Sequence, residues 1–198
     1  VCMAKLYFYY GAMGSSKSAN AMMVAFNYRE RGQKVLLCKT GVDTRDGARV
    51  IKSRMGLESN CELLDEICHW DKEKLGSYNV VIVDEAQFAT SEQIDFLSDI
   101  VDDLHVPVIC YGLRADFQNH LFPGSQRLLE ICDEINEVKT MCWCGHKAIC
   151  NARYNADGIV REGAQVMLGA NDEYIALCRK HFKEGKLHPD QEVVSLTD

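Results

Sequence analysis

The sequence predicts an α/β fold: a parallel, doubly wound sheet flanked by helices, followed by a small cysteine-rich module. Three observations predict it. Short apolar runs alternate with helical patterns in a βαβαβ rhythm. A glycine-containing turn joins the first run to the first helical pattern, as in a phosphate-binding P-loop. From about residue 141 the long helical patterns stop, and cysteines, histidines and glycines cluster instead.

The elements follow in order. "KLYFYY" (5–10) reads as a strand entering the turn "GAMGSSKS" (11–18). "SANAMMVAFNYRER" (18–31) is helical in character, and Gly32 sits where a C-terminal helix glycine belongs. "KVLLCK" (34–39) is a second buried strand. "NVVIVDE" (79–85) is an almost unbroken apolar run ending in two acids, as expected of a central parallel strand covered on both faces. "CHWDKEK" (68–74) reads as a loop between elements. Thr90 and Gln93 have capping-box spacing ahead of "SEQIDFLSDIVDDL" (91–104), where Ile94, Leu97, Ile100, Val101 and Leu104 share one side and the acids a solvated one. "VPVICYG" (106–112) is a further strand. Three units are expected: an α/β domain over 1–140, a zinc-ribbon-like domain over 141–185, and a polar, loosely ordered tail over 186–198.

Composition narrows the class. At 198 residues with 47% hydrophobic and 26% charged residues, the chain has the make-up of an ordinary globular protein. A net charge of -7 argues against a nucleic-acid-binding surface, and no stretch is apolar enough for a membrane span. "VCMAKLYFYY" lacks the charged, apolar and small-residue order of an export signal, so a cytoplasmic location is expected. In that reducing compartment the ten cysteines are expected as buried thiols or metal ligands rather than disulfides.

Three constellations carry chemistry. Gly11, Lys17 and Ser18 fall on the G-x-x-x-x-G-K-[ST] pattern, with Ser16 in place of its second glycine. Strand-turn-helix context points backbone N–H groups and the positive end of the helix dipole at an anion. Lys17 would then reach the β- and γ-phosphates, and Ser18 would offer its hydroxyl to Mg²⁺. A serine in that turn adds a Cβ where unusual backbone angles are needed, which weakens nucleotide binding unless Gly14 relieves the turn. The second constellation is Asp84-Glu85 at the end of a neighbouring buried strand, suited to holding Mg²⁺ and to taking a proton from an attacking hydroxyl. The third is Cys142-x-Cys144 followed by Cys178-x-x-His181, two close pairs that suit a structural, four-coordinate Zn²⁺ with no open position; Cys150 and His146 are the obvious substitutes.

"YFYYGAMGSSKS", "DTRDG" (43–47), "VDEAQF" (83–88), "YGLRADFQNHLFPGS" (111–125), "CWCGHKA" (142–148) and "GANDEYIALCRKH" (169–181) together resemble the type II thymidine kinases, the bacterial and cytosolic deoxythymidine kinases. The resemblance runs from about residue 4 to 183 and is far more specific than any one motif. It implies ATP-dependent phosphorylation of thymidine at its 5′-hydroxyl, with ATP, Mg²⁺ and a structural Zn²⁺. It makes Glu85 the proton acceptor, and Asp84 and Ser18 the magnesium side. The phosphate cradle becomes Gly11, Ala12, Met13, Gly14, Ser15, Ser16, Lys17 and Ser18, with Asp84, Glu85, Ala86 and Gln87 alongside. Asp43 and Arg45 match a pair near the phosphates. Met13, Phe88, Leu113, Phe117 and Phe122 match a thymine pocket, closed by Tyr174 and the backbone of Val166, Met167 and Leu168. It further implies a homotetramer restrained by thymidine triphosphate. The alternatives are a P-loop ATPase whose Glu85 activates water, and a zinc-ribbon module whose nucleotide binding is weakened or lost through Ser16.

Overall fold

A computed structural model describes residues 4–41, 49–166 and 173–189. The chain runs β1 (Leu6–Tyr10), α1 (Lys17–Glu30), β2 (Val35–Lys39), β3 (Val50–Lys52), β4 (Glu58–Asn60), β5 (Glu62–Leu63), α2 (Leu64–Ile67) and α3 (Lys72–Gly76). It continues with β6 (Val80–Asp84), a 3-10 turn at Ala86–Phe88, α4 (Ser91–Leu104), β7 (Val108–Gly112), α5 (Pro123–Ile131) and β8 (Glu134–Glu137). Last come β9 (Cys150–Asn155), β10 (Gly158–Ile159), β11 (Glu173–Leu177) and α6 (Arg179–Glu184).

Six parallel strands form the main sheet in the order β5-β2-β6-β7-β1-β8. The sheet is covered on both faces, which is why its strands read as continuous apolar runs. One face packs Leu6, Phe8, Leu36, Val81, Val83 and Val108 against Ile94, Leu97 and Ile100 of α4 and Leu128 of α5. The other buries Leu37, Ile82 and Tyr111 under Ala21, Met22 and Ala25 of α1. The capping box forms as expected: Gln93 N–H donates to Thr90 Oγ1 at 3.2 Å, and Thr90 N–H to Gln93 Oε1 at 3.0 Å. Gly32 takes φ +74° just beyond α1.

Two expectations are corrected. Residues 72–74, read as loop, belong to α3, because Asp71 caps the turn by accepting from Lys74 N–H at 2.7 Å and Leu75 is buried beneath it. The acid-bearing strand β6 does not adjoin β1 either, since β7 lies between them. Side-chain size makes this arrangement work. β7 ends on Gly112, where a Cβ would stand 2.8 Å from Gln87 Oε1 and 3.0 Å from Gln87 N, so the turn after β6 lies directly on that strand end.

Beyond β8 the chain leaves the main sheet. β9, β10 and β11 form a separate antiparallel sheet, whose own apolar cluster holds Cys142, Ala148, Cys150, Ala152, Leu177, Phe182 and Leu187. Leu187 is therefore packed, although the tail was expected to be loose from 186 onward. Among the described residues no helix is long and apolar enough to cross a membrane.

Candidate active site and metal centre

The loop 11–16 connects β1 to α1 at the C-terminal edge of the main sheet. Gly11 is needed for close approach, because a Cβ there would sit 2.4 Å from both Ser15 Oγ and the Val138 carbonyl oxygen. Ser16 is the residue ahead of α1, with φ +61° and ψ +26°, and Gly14 also takes positive φ at +74°. The serine thus adopts the left-handed conformation that favours glycine, and it is exposed rather than packed into the loop. Left-handed backbone costs a non-glycine residue about 1 kcal/mol. Ser16→Gly should therefore raise stability by about 1 kcal/mol and leave the ATP KM unchanged or lower. Thermal melts and steady-state kinetics check this, and a destabilised variant would show that the serine hydroxyl makes a contact worth more than the strain.

Lys17 is buried, and its Nζ donates to the carbonyls of Gly11 (3.1 Å) and Ala12 (2.9 Å) and to Ser15 Oγ (3.1 Å). Burial lowers its pKa, and the nearby Glu85 and Asp84 carboxylates oppose that shift. Asp84, at the tip of β6, accepts a hydrogen bond from the Ser18 hydroxyl. Burial, reinforced by the Glu85 charge, pushes the Asp84 carboxyl up to about 7. Lys17, Ser18, Asp84 and Glu85 therefore converge, although the lysine and serine come from a different strand connection than the acids. Arg54, at the tip of the β3–β4 hairpin, reaches the same loop: its Nη1 lies 3.6 Å from where a Cβ on Gly14 would be.

A buried acid raised in this way destabilises the metal-free fold above its folded pKa, and the penalty fades as the pH falls from 7 toward an ordinary carboxylate value near 4. Asp84→Asn should accordingly raise the melting temperature of the metal-free protein by several degrees at pH 8, about 2–4 °C per kcal/mol. The gain should shrink progressively below pH 7. A melting temperature that stays put at pH 8 would mean the carboxylate is stabilised by groups other than those described.

Glu85 has φ +54° and ψ +35°, a strained backbone for a non-glycine residue, and such strain clusters where a side chain must be aimed. Its aim is held by neighbours. Gln87, fully buried, donates from Nε2 to Glu85 Oε2 while its Oε1 accepts from Leu113 N–H at 3.0 Å. Thr40 Oγ1 donates to the Glu85 carbonyl at 3.2 Å. Gln87 thus touches the acid and the Leu113 backbone rather than the phosphate loop.

The aromatic residues fall into two groups. Phe88 and Phe122 meet edge to face with centroids 5.5 Å apart. Phe117 lies under the Arg153 guanidinium at 3.8 Å, and Arg153 Nε donates to Tyr174 Oη at 2.7 Å. Arg153 Nη2 also donates to the carbonyls of Ala164 (3.1 Å) and Gln165 (3.3 Å), next to Val166. Gln165 Nε2 in turn donates to the buried Asp116 carboxylate at 2.9 Å. Met13 N–H donates to Asn151 Oδ1 at 2.8 Å. Asp43, Arg45, Met167 and Leu168 lie outside the described residues. Asn151 and Arg153 are absent from the sequence reading, and Asp116 enters it only within the block 111–125. A lone polar residue in a short strand has no spacing to announce it, and only burial shows that it faces inward.

The four candidate zinc ligands come together. The donor atoms of Cys142, Cys144, Cys178 and His181 all lie within 4.8 Å of one another. His181 Nδ1 is 3.5 Å from both Cys142 Sγ and Cys178 Sγ, and Cys144 Sγ is 3.9 Å from Cys178 Sγ. A tetrahedron with Zn–S of ~2.3 Å and Zn–N of ~2.0 Å has edges of about 3.5–3.8 Å, so donor chemistry and spacing both fit Zn²⁺. Burial raises the Cys142 thiol, but backbone N–H groups of Cys144 and Cys178, together with His181, outweigh it and bring it down to about 6, favouring the thiolate a metal needs. Trp143 stacks on the His181 ring with centroids 4.1 Å apart. Neither Cys150 nor His146 belongs to the group.

Comparison with known proteins points the same way. The family model for thymidine kinase matches residues 4–182. The thymidine kinase of Zymomonas mobilis is 46% identical over 188 residues, covering 92% of this chain and 97% of that protein. The Haemophilus influenzae thymidine kinase is 46% identical over 191 residues, covering 92% and 97%, and that of Legionella pneumophila 46% over 191 residues, covering 93% and 91%. A solved structure of the Pif1 helicase from Candida albicans overlaps 70% of this chain and 36% of its own, at 14% identity and a TM-score of 0.42, too low to carry an argument.

Proposed function

The chain belongs to the thymidine kinase family, and from that premise we propose that it transfers the γ-phosphoryl group of ATP to the 5′-hydroxyl of thymidine. The observation that carries this reading is the convergence of Lys17, Ser18, Asp84 and Glu85 at one end of the main sheet. The loop 11–18 with the first N–H groups of α1 is read as the cradle for the phosphates, with Lys17 turning from the loop carbonyls to the β- and γ-oxygens. Ser18 and Asp84 would hold Mg²⁺, which when bound neutralises charge on the transferring group. Glu85 orients the nucleoside hydroxyl and accepts its proton. Gln87 leaves one Glu85 oxygen for that task by engaging the other.

The nucleoside is assigned to the aromatic side. Phe88, Phe122, Phe117 and Leu113 would grip the flat base, with Met13 at the phosphate end, while Tyr174 and the segment 166–168 would close over it. Asp43 and Arg45 are proposed to act at the phosphates. The Cys142, Cys144, Cys178 and His181 set is read as a structural zinc site, because four protein donors leave no coordination position for substrate. On this reading the 1–140 unit performs phosphoryl transfer and 141–185 form the zinc-bound unit. A cytoplasmic homotetramer inhibited by thymidine triphosphate remains part of the proposal through family membership.

ADP release with and without thymidine tests it. Release that depends on thymidine, with thymidine monophosphate formed in equal amount, is the expected result. Release independent of nucleoside would instead make the protein an ATPase in which Glu85 activates water. The left-handed, exposed Ser16 argues against the reading in which the loop has lost nucleotide binding, because the turn keeps the shape a glycine would give it.

A further inference from the structure

The β3–β4 hairpin brings a second cation to the phosphate loop. Its base is fixed to the main domain. Ile51 is buried in the cluster that holds Leu37 with Ala21, Met22 and Ala25 of α1, and Lys39 Nζ of β2 donates to the Val50 carbonyl at 2.8 Å. Its tip is fixed as well: Ser53 N–H donates to the Leu57 carbonyl at 2.8 Å, Gly56 N–H to the Ser53 carbonyl at 3.0 Å, and Leu57 N–H to Ser53 Oγ at 3.1 Å. Gly56 supplies the positive φ, +82°, that this turn needs. Arg54 stands in the turn, exposed, with Nη1 3.6 Å from where a Cβ on Gly14 would be. Its charge reaches Lys17. Burial is the largest cause of the lowered Lys17 pKa, and the Arg54 charge adds to it, against the pull of Glu85 and Asp84. Glu58, the one acid in 49–60, is engaged by Lys52 at 3.4 Å, and among the described residues Arg54 forms no ion pair. Two cations therefore face one loop, and like charges held close favour an anion between them.

We propose that Arg54 is a further ATP-binding residue, whose guanidinium binds the triphosphate from the hairpin side of the loop. The proposal rests on the reading of 11–18 as the ATP phosphate cradle. A guanidinium offers paired N–H donors to phosphate oxygens and stays charged at any working pH. With the hairpin anchored at base and tip, the backbone that carries Arg54 needs no ordering when the phosphates arrive. The acid pair and the nucleoside-side aromatics lie on other elements, so the loss of Arg54 falls on ATP and spares thymidine.

The test uses the purified 198-residue chain with Arg54→Ala, Arg54→Lys and, as a control on the same turn, Met55→Ala, whose side chain is exposed. Binding of a non-hydrolysable ATP analogue with Mg²⁺ is measured by titration, and KM values for ATP and thymidine are measured beside it. Arg54→Ala should weaken the analogue and raise the ATP KM about ten- to hundredfold, the effect of losing a hydrogen bond to a charged group. The thymidine KM should stay within about twofold of the parent. Arg54→Lys should fall between the parent and the alanine variant, since it keeps the charge and loses the fork. Added millimolar guanidinium should restore part of the analogue affinity of Arg54→Ala, a rescue that a merely structural arginine would not show. Unchanged analogue affinity in Arg54→Ala overturns the proposal, and so does an equal rise in both KM values or an equal loss of affinity in Met55→Ala. If the parent itself binds no analogue, the reading of 11–18 as the cradle fails and takes the proposal with it. A parent that binds the analogue, beside an Arg54→Ala variant that binds it equally well, removes Arg54 alone.

Discussion

Replacing Glu85 by glutamine is expected to lower kcat by about 10²–10⁴-fold while leaving both KM values near those of the parent. The substitution is close to isosteric, and its amide oxygen still accepts the hydrogen bond that Gln87 Nε2 donates to the carboxylate. The left-handed turn, the Thr40 contact and the Gln87–Leu113 link are therefore kept, and substrates meet the same walls. What disappears is the ability to take a proton. Steady-state kinetics with the variant decide the matter. Turnover within a few-fold of the parent would remove Glu85 as base, whereas a large rise in KM would make it a binding group. The residual rate reports what positioning and the charges of the phosphate site supply without a base.

The second large effect concerns the metal centre. The protein should contain one zinc per chain, and its removal should unfold the small sheet. A structural zinc contributes on the order of 10 kcal/mol or more to the fold around it, comparable to the whole stability of a domain. The unit it supports is small: an apolar cluster dominated by alanines, thiols and two leucines, with the four donors drawn from both ends of the segment. Cys178→Ser, or a strong chelator, should expose 141–189 to proteolysis and abolish the near-ultraviolet signal of Trp143, whose ring is ordered by stacking on His181. Activity should fall with it, because Asn151 and Arg153 lose the strand that aims them. A chelated protein that stays protease-resistant and keeps the tryptophan signal would show that the cluster holds together without metal.

Much of this was legible in the sequence where one physical demand dominates. "VVIVD" reads as a central strand because a strand buried on both faces tolerates little else, and all five residues are buried. The cysteine and histidine pairs are legible because soft ligands come in short spacings. Asp84 and Glu85 are legible because acids following an apolar run mark a strand tip. Strand order was not. The insertion of β7 between β1 and β6 depends on Gly112 being small enough to admit Gln87, a pairing twenty-five positions apart. Helix α3 was hidden because Asp71, Lys72, Glu73 and Lys74 look like a solvated loop, and only Leu75 and the cap make them a turn. Asn151 and Arg153 were hidden for the opposite reason. They look like surface residues, and their burial is set by what docks against β9.

Strand order also governs when the phosphate loop can exist during synthesis. β1 precedes both of its neighbours by a long stretch of chain: β7 ends at residue 112 and β8 at residue 137. The pair β2–β6 can form once residue 84 is available, whereas β1 gains its first neighbour only when β7 is complete at residue 112 and its second when β8 is complete at residue 137. At roughly 5–20 residues per second the first of these waits lasts about 1–6 s for a nascent chain. A strand whose partners are so distant in the chain is slow to place, so the segment carrying the nucleotide loop is the one most dependent on protection while the chain is incomplete.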